Sequence, residues 1–140
     1  MSIAISVGGR TTLALRKDKT LWAWGANRGG QLGQGDTSRC IGTPVRVKGL
    51  SNVKTFAADK NDDGANAAIT ADGRVWVWGA NGSSMLGNGL REGTALLPIP
   101  VKGVTGAKQV AVGAGFMVVV HTNGNCNQLG IQRFRRPGRR

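Results

Sequence analysis

Short apolar runs with a two-residue period recur along the chain, separated by clusters of Gly, Asn and Asp. Leu13 and Leu15 share one face of such a run, as do Trp22 and Trp24, and Trp76 and Trp78. The alternation predicts strands over residues 3–7, 11–15, 20–24 and 44–47. A second set falls at 53–58, 65–70, 74–78 and 98–101, and a third at 108–112 and 115–121, after which the pattern fails. No stretch carries the 3.6-residue period of an amphipathic helix. Asp72-Gly73 and Asn123-Gly124 lie between apolar runs and predict tight hairpins, since both turn positions tolerate positive φ. Asp18-Lys19 holds the equivalent place, where Lys is a poorer turn residue.

The runs repeat every 54 residues. Leu21-Trp22-Ala23-Trp24-Gly25-Ala26-Asn27 returns as Val75-Trp76-Val77-Trp78-Gly79-Ala80-Asn81, and Gln31-Leu32-Gly33 returns in frame as Met85-Leu86-Gly87. Pro44, Val47, Lys48, Gly49 and Lys54 fall on Pro98, Val101, Lys102, Gly103 and Lys108 without a gap. Four short antiparallel strands per repeat mark a β-propeller blade. The expected fold is all-β: a partial β-propeller of two four-stranded antiparallel blades plus an incomplete third. The repeats span about 3–52, 53–106 and 107–130, and a basic, disordered tail covers 131–140. The tryptophan pairs are expected to pack between neighbouring blades, each ring burying about 200 Å².

Composition sharpens this picture in two places. The 23 glycines and the absence of Tyr suit a chain of many tight turns. The net charge of +12 is uneven: Arg133, Arg135, Arg136, Arg139 and Arg140 crowd the last eight residues with no acid among them. Such a balance favours polyanions and acidic partners through salt-sensitive attraction. No apolar run approaches the roughly 18 residues of a membrane span, and the first nine residues lack the features of a signal peptide. The expectation is a cytoplasmic chain, or a nuclear one in a eukaryote. Cys40 and Cys126 are far apart, without metal-ligand spacing, and are expected as free thiols.

The run from Leu21 to Gly35, W-x-W-G-x-N-x-x-G-Q-L-G-x-G, followed by Pro44 and Val47-Lys48-Gly49, resembles the repeat of the regulator of chromosome condensation family. Ala14-Leu15-x-x-Asp18 and Ala68-Ile69-x-x-Asp72-Gly73 match the strand and turn that precede the tryptophans in that repeat. The resemblance covers residues 3 to about 130. It implies seven-bladed propellers used mostly as protein-binding platforms, among them a nucleotide exchange factor that binds chromatin, an ultraviolet photoreceptor and inhibitors of β-lactamases. Fold of this kind does not choose function.

The copies depart from the family pattern at several points. Thr11 and Phe116 stand where the family usually has His. In the second copy Asp59 replaces a Gly and about three residues are inserted. The resulting Asp59-Lys60-Asn61-Asp62-Asp63-Gly64 fits the first half of an oxygen-rich calcium loop, with Asp59, Asn61 and Asp63 as candidate ligands. The position of the closing bidentate Glu is Thr70, in a predicted strand, so a solvated acidic loop of self-capping Asx turns is the favoured reading. The third copy reads as having lost the strand that carries W-x-W-G, splicing its turn onto Gln128-Leu129-Gly130.

No catalytic constellation emerges. His121, the only histidine, has no partner cluster, and the Gly-rich stretches lack the Lys-Ser/Thr ending and following helix of a phosphate loop. No enzyme activity and no cofactor are expected. The favoured function is a non-enzymatic protein-interaction module whose contacts come from loops 27–42, 81–97 and 59–64. A chromatin or nucleic-acid-associated protein stands second, its tail arginines serving as a phosphate-binding arm. Guanine-nucleotide exchange on a small GTPase stands third, by analogy alone. An arc of fewer than seven blades exposes apolar faces and strand edges, so the chain is expected to self-associate, swap strands or pair with another propeller segment.

Overall fold

The computed structural model describes residues 2–7, 10–59, 65–80, 94–101, 104–112 and 116–130. The described chain is all-β, in three antiparallel sheets laid down in sequence order. The first holds β1 (Ser2–Val7), β2 (Thr11–Arg16), β3 (Leu21–Asn27) and β4 (Ser38–Arg46). The second holds β5 (Val53–Ala57), β6 (Ala65–Thr70), β7 (Val75–Ala80) and β8 (Thr94–Pro100). The third holds β9 (Ala107–Val112), β10 (Phe116–His121) and β11 (Cys126–Gly130), ordered β11-β10-β9. The partial propeller of two complete blades and an incomplete third is therefore present.

Register decides which residues face the neighbouring sheet. Ala14 lies opposite both Ile5 and Trp22, and Thr12 opposite both Val7 and Trp24. These six residues make the tryptophan face of the first sheet. Leu13, Leu15, Leu21 and Ala23 make its other face, and all four are buried against the second sheet in one continuous core. The second sheet repeats the plan: Phe56, Asn66, Ala68, Trp76 and Trp78 share its tryptophan face, turned toward the first sheet, while Ala67, Ile69, Val75 and Val77 turn toward the third. Met117 and Val119 of the third sheet are fully buried in the same core.

The hairpins differ in type from the sequence expectation. Only the second residue of each pair has positive φ: Lys19 at 68°, Gly73 at 81° and Gly124 at 89°. Lys19 N–H bonds to Arg16 C=O at 2.9 Å while Arg16 N–H bonds to Thr20 C=O at 2.9 Å, the pattern of a three-residue loop closed by a bulge. Thr70, Gly73 and Arg74, then His121, Gly124 and Asn125, repeat it. The first two turns then tie the next blade in place. Val53 N–H donates to Lys19 C=O, and Ala107 N–H to Gly73 C=O, both at 3.0 Å.

Two further boundaries shift. The fourth strand begins at Ser38 and at Thr94, earlier than the pattern 44–47 and 98–101 suggests; in the first sheet that outer strand is mostly exposed and carries no apolar alternation. The third copy loses nothing between its turn and its strand. Gly130 pairs with Phe116 as Gly25 pairs with Thr11 and Gly79 with Ala65. Asn127 and Leu129 thus hold the register positions of Trp22 and Trp24, and the supposed splice is a third strand with its tryptophans replaced. Hairpin register overrides the local likeness to Gln-Leu-Gly, since a slip would move every side chain to the wrong place. A fourth strand beside β11 is absent among the described residues.

Candidate functional site

The loop after β3 is built from its own polar residues outward. Asn27 is fully buried; its Oδ1 accepts the Leu32 N–H at 3.0 Å and its Nδ2 donates to Ser38 Oγ at 3.1 Å and to the Asp36 carbonyl at 3.3 Å. Gln31 folds back so that its Oε1 accepts the Gly29 N–H at 2.8 Å. These bonds aim the Gln31 carbonyl across the seam, where Trp78 Nε1 donates to it at 2.7 Å and Asn66 Nδ2 at 2.9 Å. Leu32 beside it is fully buried, and Gly35 N–H bonds to the Leu96 carbonyl of β8 at 2.9 Å. Gly33 sits at φ +65° where a Cβ would come within 2.7 Å of Val47 Cγ1 and 3.3 Å of the Trp78 ring. The motif Asn-x-x-Gly-Gln-Leu-Gly is thus the clasp between adjacent blades.

This divides the first predicted contact loop, 27–42, in two. The loop from Asn27 to Gly35 belongs to the seam, with the Arg28 and Gly35 positions open to solvent, whereas residues 36–40 and Gly42 are exposed and form an arm running onto the outer strand. Of loop 81–97, residues 94–97 lie in β8, with Leu97 46 % exposed; 81–93 lie outside the described residues.

The tryptophans split by role. Trp78 is completely buried, the inter-blade packing expected of it, whereas its counterpart Trp24 is half-buried. Trp22 and Trp76 instead clamp their hairpins. Trp22 Nε1 donates to Thr20 Oγ1 at 2.9 Å, and Thr20 donates to Asp18 Oδ1; Arg16 lies over the Trp22 ring at 5.2 Å. Trp76 Nε1 donates to Thr70 Oγ1 at 3.2 Å, and Thr70 donates to Asp72 Oδ1. The Thr20 hydroxyl, and after it the Thr20 N–H, hold the Asp18 carboxyl below its usual range; the Thr70 hydroxyl and the Arg74 N–H do the same for Asp72. Both acids are engaged in turns.

The turn carbonyls of Lys19 and Gly73 meet Val53 and Ala107, so hairpin tips and blade connections share one end of the assembly. Lys17, Lys19, Lys48, Lys54, Arg74 and Lys108 are all exposed on or beside these tips and connections. The cationic end was not legible in the linear charge pattern, because its residues come from segments scattered over the whole chain. A cleft of about 440 Å³ lies there between residues 49–52 and the 70–72 turn, with Trp76 in its wall; the Asp72 carboxylate within it disfavours an anion.

Of the candidate calcium ligands, Asp59 is 4 % exposed two residues beyond the end of β5, with Asn66 Oδ1 accepting its main-chain N–H at 3.2 Å. Asn61 and Asp63 lie outside the described residues, as do Arg133, Arg135, Arg136, Arg139 and Arg140. Thr70, at the position of the missing closing ligand, is occupied with Asp72 and Trp76. Among the described residues no three His, Cys, Asp or Glu side chains gather closely enough to hold a metal ion. Thr11, in the place of the family His, is buried and donates to the Ala26 carbonyl at 3.1 Å. His121 Nδ1 lies 2.8 Å from the Thr105 carbonyl at the third hairpin. Cys40 and Cys126 are exposed and free. Among the described residues no helix is long and apolar enough to cross a membrane.

Comparison with known proteins agrees with this geometry. The regulator of chromosome condensation (RCC1) repeat matches residues 18–58 and 72–120, and a second form of the same repeat matches 3–31. The chain is 32 % identical over 127 residues to the RCC2 homolog of Danio rerio and 30 % over 128 residues to human RCC2, covering 88 % of this chain in each case. It is 30 % identical over 115 residues to the human E3 ubiquitin-protein ligase HERC2, of which it covers 2 %. It spans only 25 % of the zebrafish RCC2 homolog and 23 % of human RCC2. Among solved structures, yeast RCC1 (Prp20) bound to Kap60 superposes with a TM-score of 0.80 at 25 % identity, over 92 % of this chain and 32 % of that one. Prp20p from Saccharomyces cerevisiae, described with its binding to Gsp1p and histones, gives 0.80 at 24 % identity over 92 % of this chain and 33 % of that one. Repeat pattern, sheet register and these matches agree: the chain belongs to the regulator of chromosome condensation (RCC1) repeat family.

Proposed function

We propose that the chain works as a binding module, without chemistry of its own, that presents the exposed arm of residues 36–40 and Gly42 to a protein partner. The observation that supports this most is the division of the 27–42 loop. Its first half is locked by Asn27 and Trp78, so the second half leaves a rigid base and is held toward solvent. Loops on a preorganised scaffold bind with less entropic loss than free ones. The protein partners of yeast RCC1, Kap60 among them, are precedents for the class of ligand and not for its identity. Affinity capture with the full chain tests the reading. Partners retained by wild type are expected to be lost with Asp36→Arg and Arg39→Glu together, which reverse charge on the arm. Retention of all partners by that variant overturns it.

A second reading rests on the cationic end. Six exposed cations, of which Arg74 is paired with Asp72 at 3.7 Å, outnumber the two turn acids at this end, a distribution suited to phosphate backbones. Binding to DNA is then expected to weaken by at least about tenfold between 50 and 200 mM salt. Lys17→Glu with Lys19→Glu should weaken it further even after deletion of residues 133–140. Binding carried only by the last eight residues would assign the effect to the tail.

A further inference from the structure

The first two hairpins share a plan in which one pair of residues has changed places. In the first, Arg16 and Thr20 face each other across the turn. Thr20 accepts the Trp22 indole N–H, and the Arg16 guanidinium lies over the ring at 5.2 Å. Arg46 stands opposite Trp22 on the outer strand. In the second, Thr70 and Arg74 hold the places of Arg16 and Thr20, and Pro100 holds that of Arg46. Thr70 takes over the indole bond at the Nε1 edge, so the hairpin stays clamped. Among the described residues no guanidinium lies over the Trp76 ring. A cleft of about 440 Å³ opens here instead, walled by residues 49–52, 70–72 and Trp76. Its one carboxylate is only half used. Asp72 Oδ1 accepts from the Thr70 hydroxyl and from the Arg74 N–H at 3.2 Å. Oδ2 has only Arg74 Nε at 3.7 Å, a long contact between two side chains that are each more than half exposed. An indole wall beside a carboxylate oxygen suits a planar cation, and the first hairpin already holds one.

We infer that this cleft binds the side chain of an arginine from a protein partner, its guanidinium stacked on Trp76 and bonded to Asp72 Oδ2, in the place that Arg16 fills on Trp22. Arginine fits better than lysine, because its flat fork stacks and bonds at once. The surroundings narrow the partner further. Lys48 and Lys54 bracket the 49–52 wall, Arg46 bonds to the Leu50 carbonyl within it at 3.3 Å, and Arg74 follows Asp72; all four are exposed. They repel a lone cation, so the arginine belongs to an acidic segment whose carboxylates meet them. The site lies at the far end of the blades from the arm of residues 36–40, because β3 runs from the hairpin to Asn27, and does not depend on it.

The probe is the acetylated, amidated peptide Glu-Glu-Arg-Glu-Glu, titrated into the full chain at about 150 mM salt. Its control carries citrulline in place of arginine. Citrulline keeps the shape and loses the charge, so the difference between the two peptides reports the cleft and not the cations around it. The Trp76 indole N–H is followed by ¹⁵N NMR, with the buried Trp78 indole as the check on folding. The arginine peptide is expected to bind at least about fivefold more tightly than the citrulline peptide and to shift the Trp76 resonance. Thr70→Arg with Arg74→Thr rebuilds the arrangement of the first hairpin and fills the cleft from within. It should abolish that preference while Trp78 keeps its shift, and Asp72→Asn should abolish most of it. Equal affinity for the two peptides overturns the proposal. So does a preference that survives the Thr70–Arg74 exchange or Asp72→Asn. A preference without a Trp76 shift places the arginine elsewhere and overturns the site.

Discussion

Trp78 donates its indole N–H to the main-chain carbonyl of Gln31, 47 positions earlier, at 2.7 Å inside a fully buried seam. A residue of the second repeat thereby holds a loop of the first. Burying about 200 Å² of indole there stabilises the seam by about 5 kcal/mol before ordering costs.

Trp78→Phe removes the bond and part of the ring. A loss of about 2 kcal/mol is expected, tempered because Asn66 still donates to Gln31. Trp24→Phe, on the half-buried counterpart, is expected to cost under about 1 kcal/mol. Urea denaturation of the two variants gives the comparison; equal losses would mean the two rings have equivalent surroundings.

Gly33→Ala places a methyl against Val47 and Trp78 in a left-handed backbone and is expected to cost about 2 to 3 kcal/mol. Gly42→Ala meets nothing within 4 Å and is expected to stay within about 0.5 kcal/mol of wild type. Thermal melts of both variants check the contrast.

Lys19 occupies the left-handed position that its repeats fill with Gly73 and Gly124. Lys19→Gly relieves that backbone at some entropic cost, so a gain between zero and about 1 kcal/mol is expected. A loss on chemical denaturation would indicate that the Lys19 side chain contributes more than the strain it imposes.

Much of this was legible in the sequence. The repeat, the strands of its two complete blades and the residues that share a face came from alternation and spacing, which the pleat of a sheet enforces directly. The hairpin type did not, because Asp-Gly serves both a two-residue turn and a bulged loop, and only hydrogen-bond closure separates them. The strand at Cys126–Gly130 was missed because no tryptophan marks it, although Gly130 follows Asn123 by seven positions as Gly25 follows Asp18. The part of the 27–42 loop that belongs to the seam was hidden for another reason: the Gln31 contact uses its carbonyl, and a main-chain atom leaves no trace in residue type.

Asp72 is held below its ordinary carboxyl range by the Thr70 hydroxyl and the Arg74 N–H, so the ionised form is the one the fold favours. Its contribution is complete above the unfolded value near 4 and is lost as pH falls through the lower folded value. Asp72→Asn keeps an acceptor oxygen and removes the titration. The gap between wild type and variant is therefore expected to narrow as pH falls from about 5 to about 2. Denaturation across that range checks it, and a constant gap would exclude Asp72 from the acid sensitivity.

The clasp between blades is tested most directly by a double-mutant cycle on Asn27→Ala and Trp78→Phe, measured by equilibrium denaturation. Asn27 holds the loop through Leu32 and Trp78 holds it through Gln31, from different repeats. A coupling energy of at least about 0.5 kcal/mol is expected. Strict additivity of the two losses would contradict a shared seam and with it the stacking of successive blades.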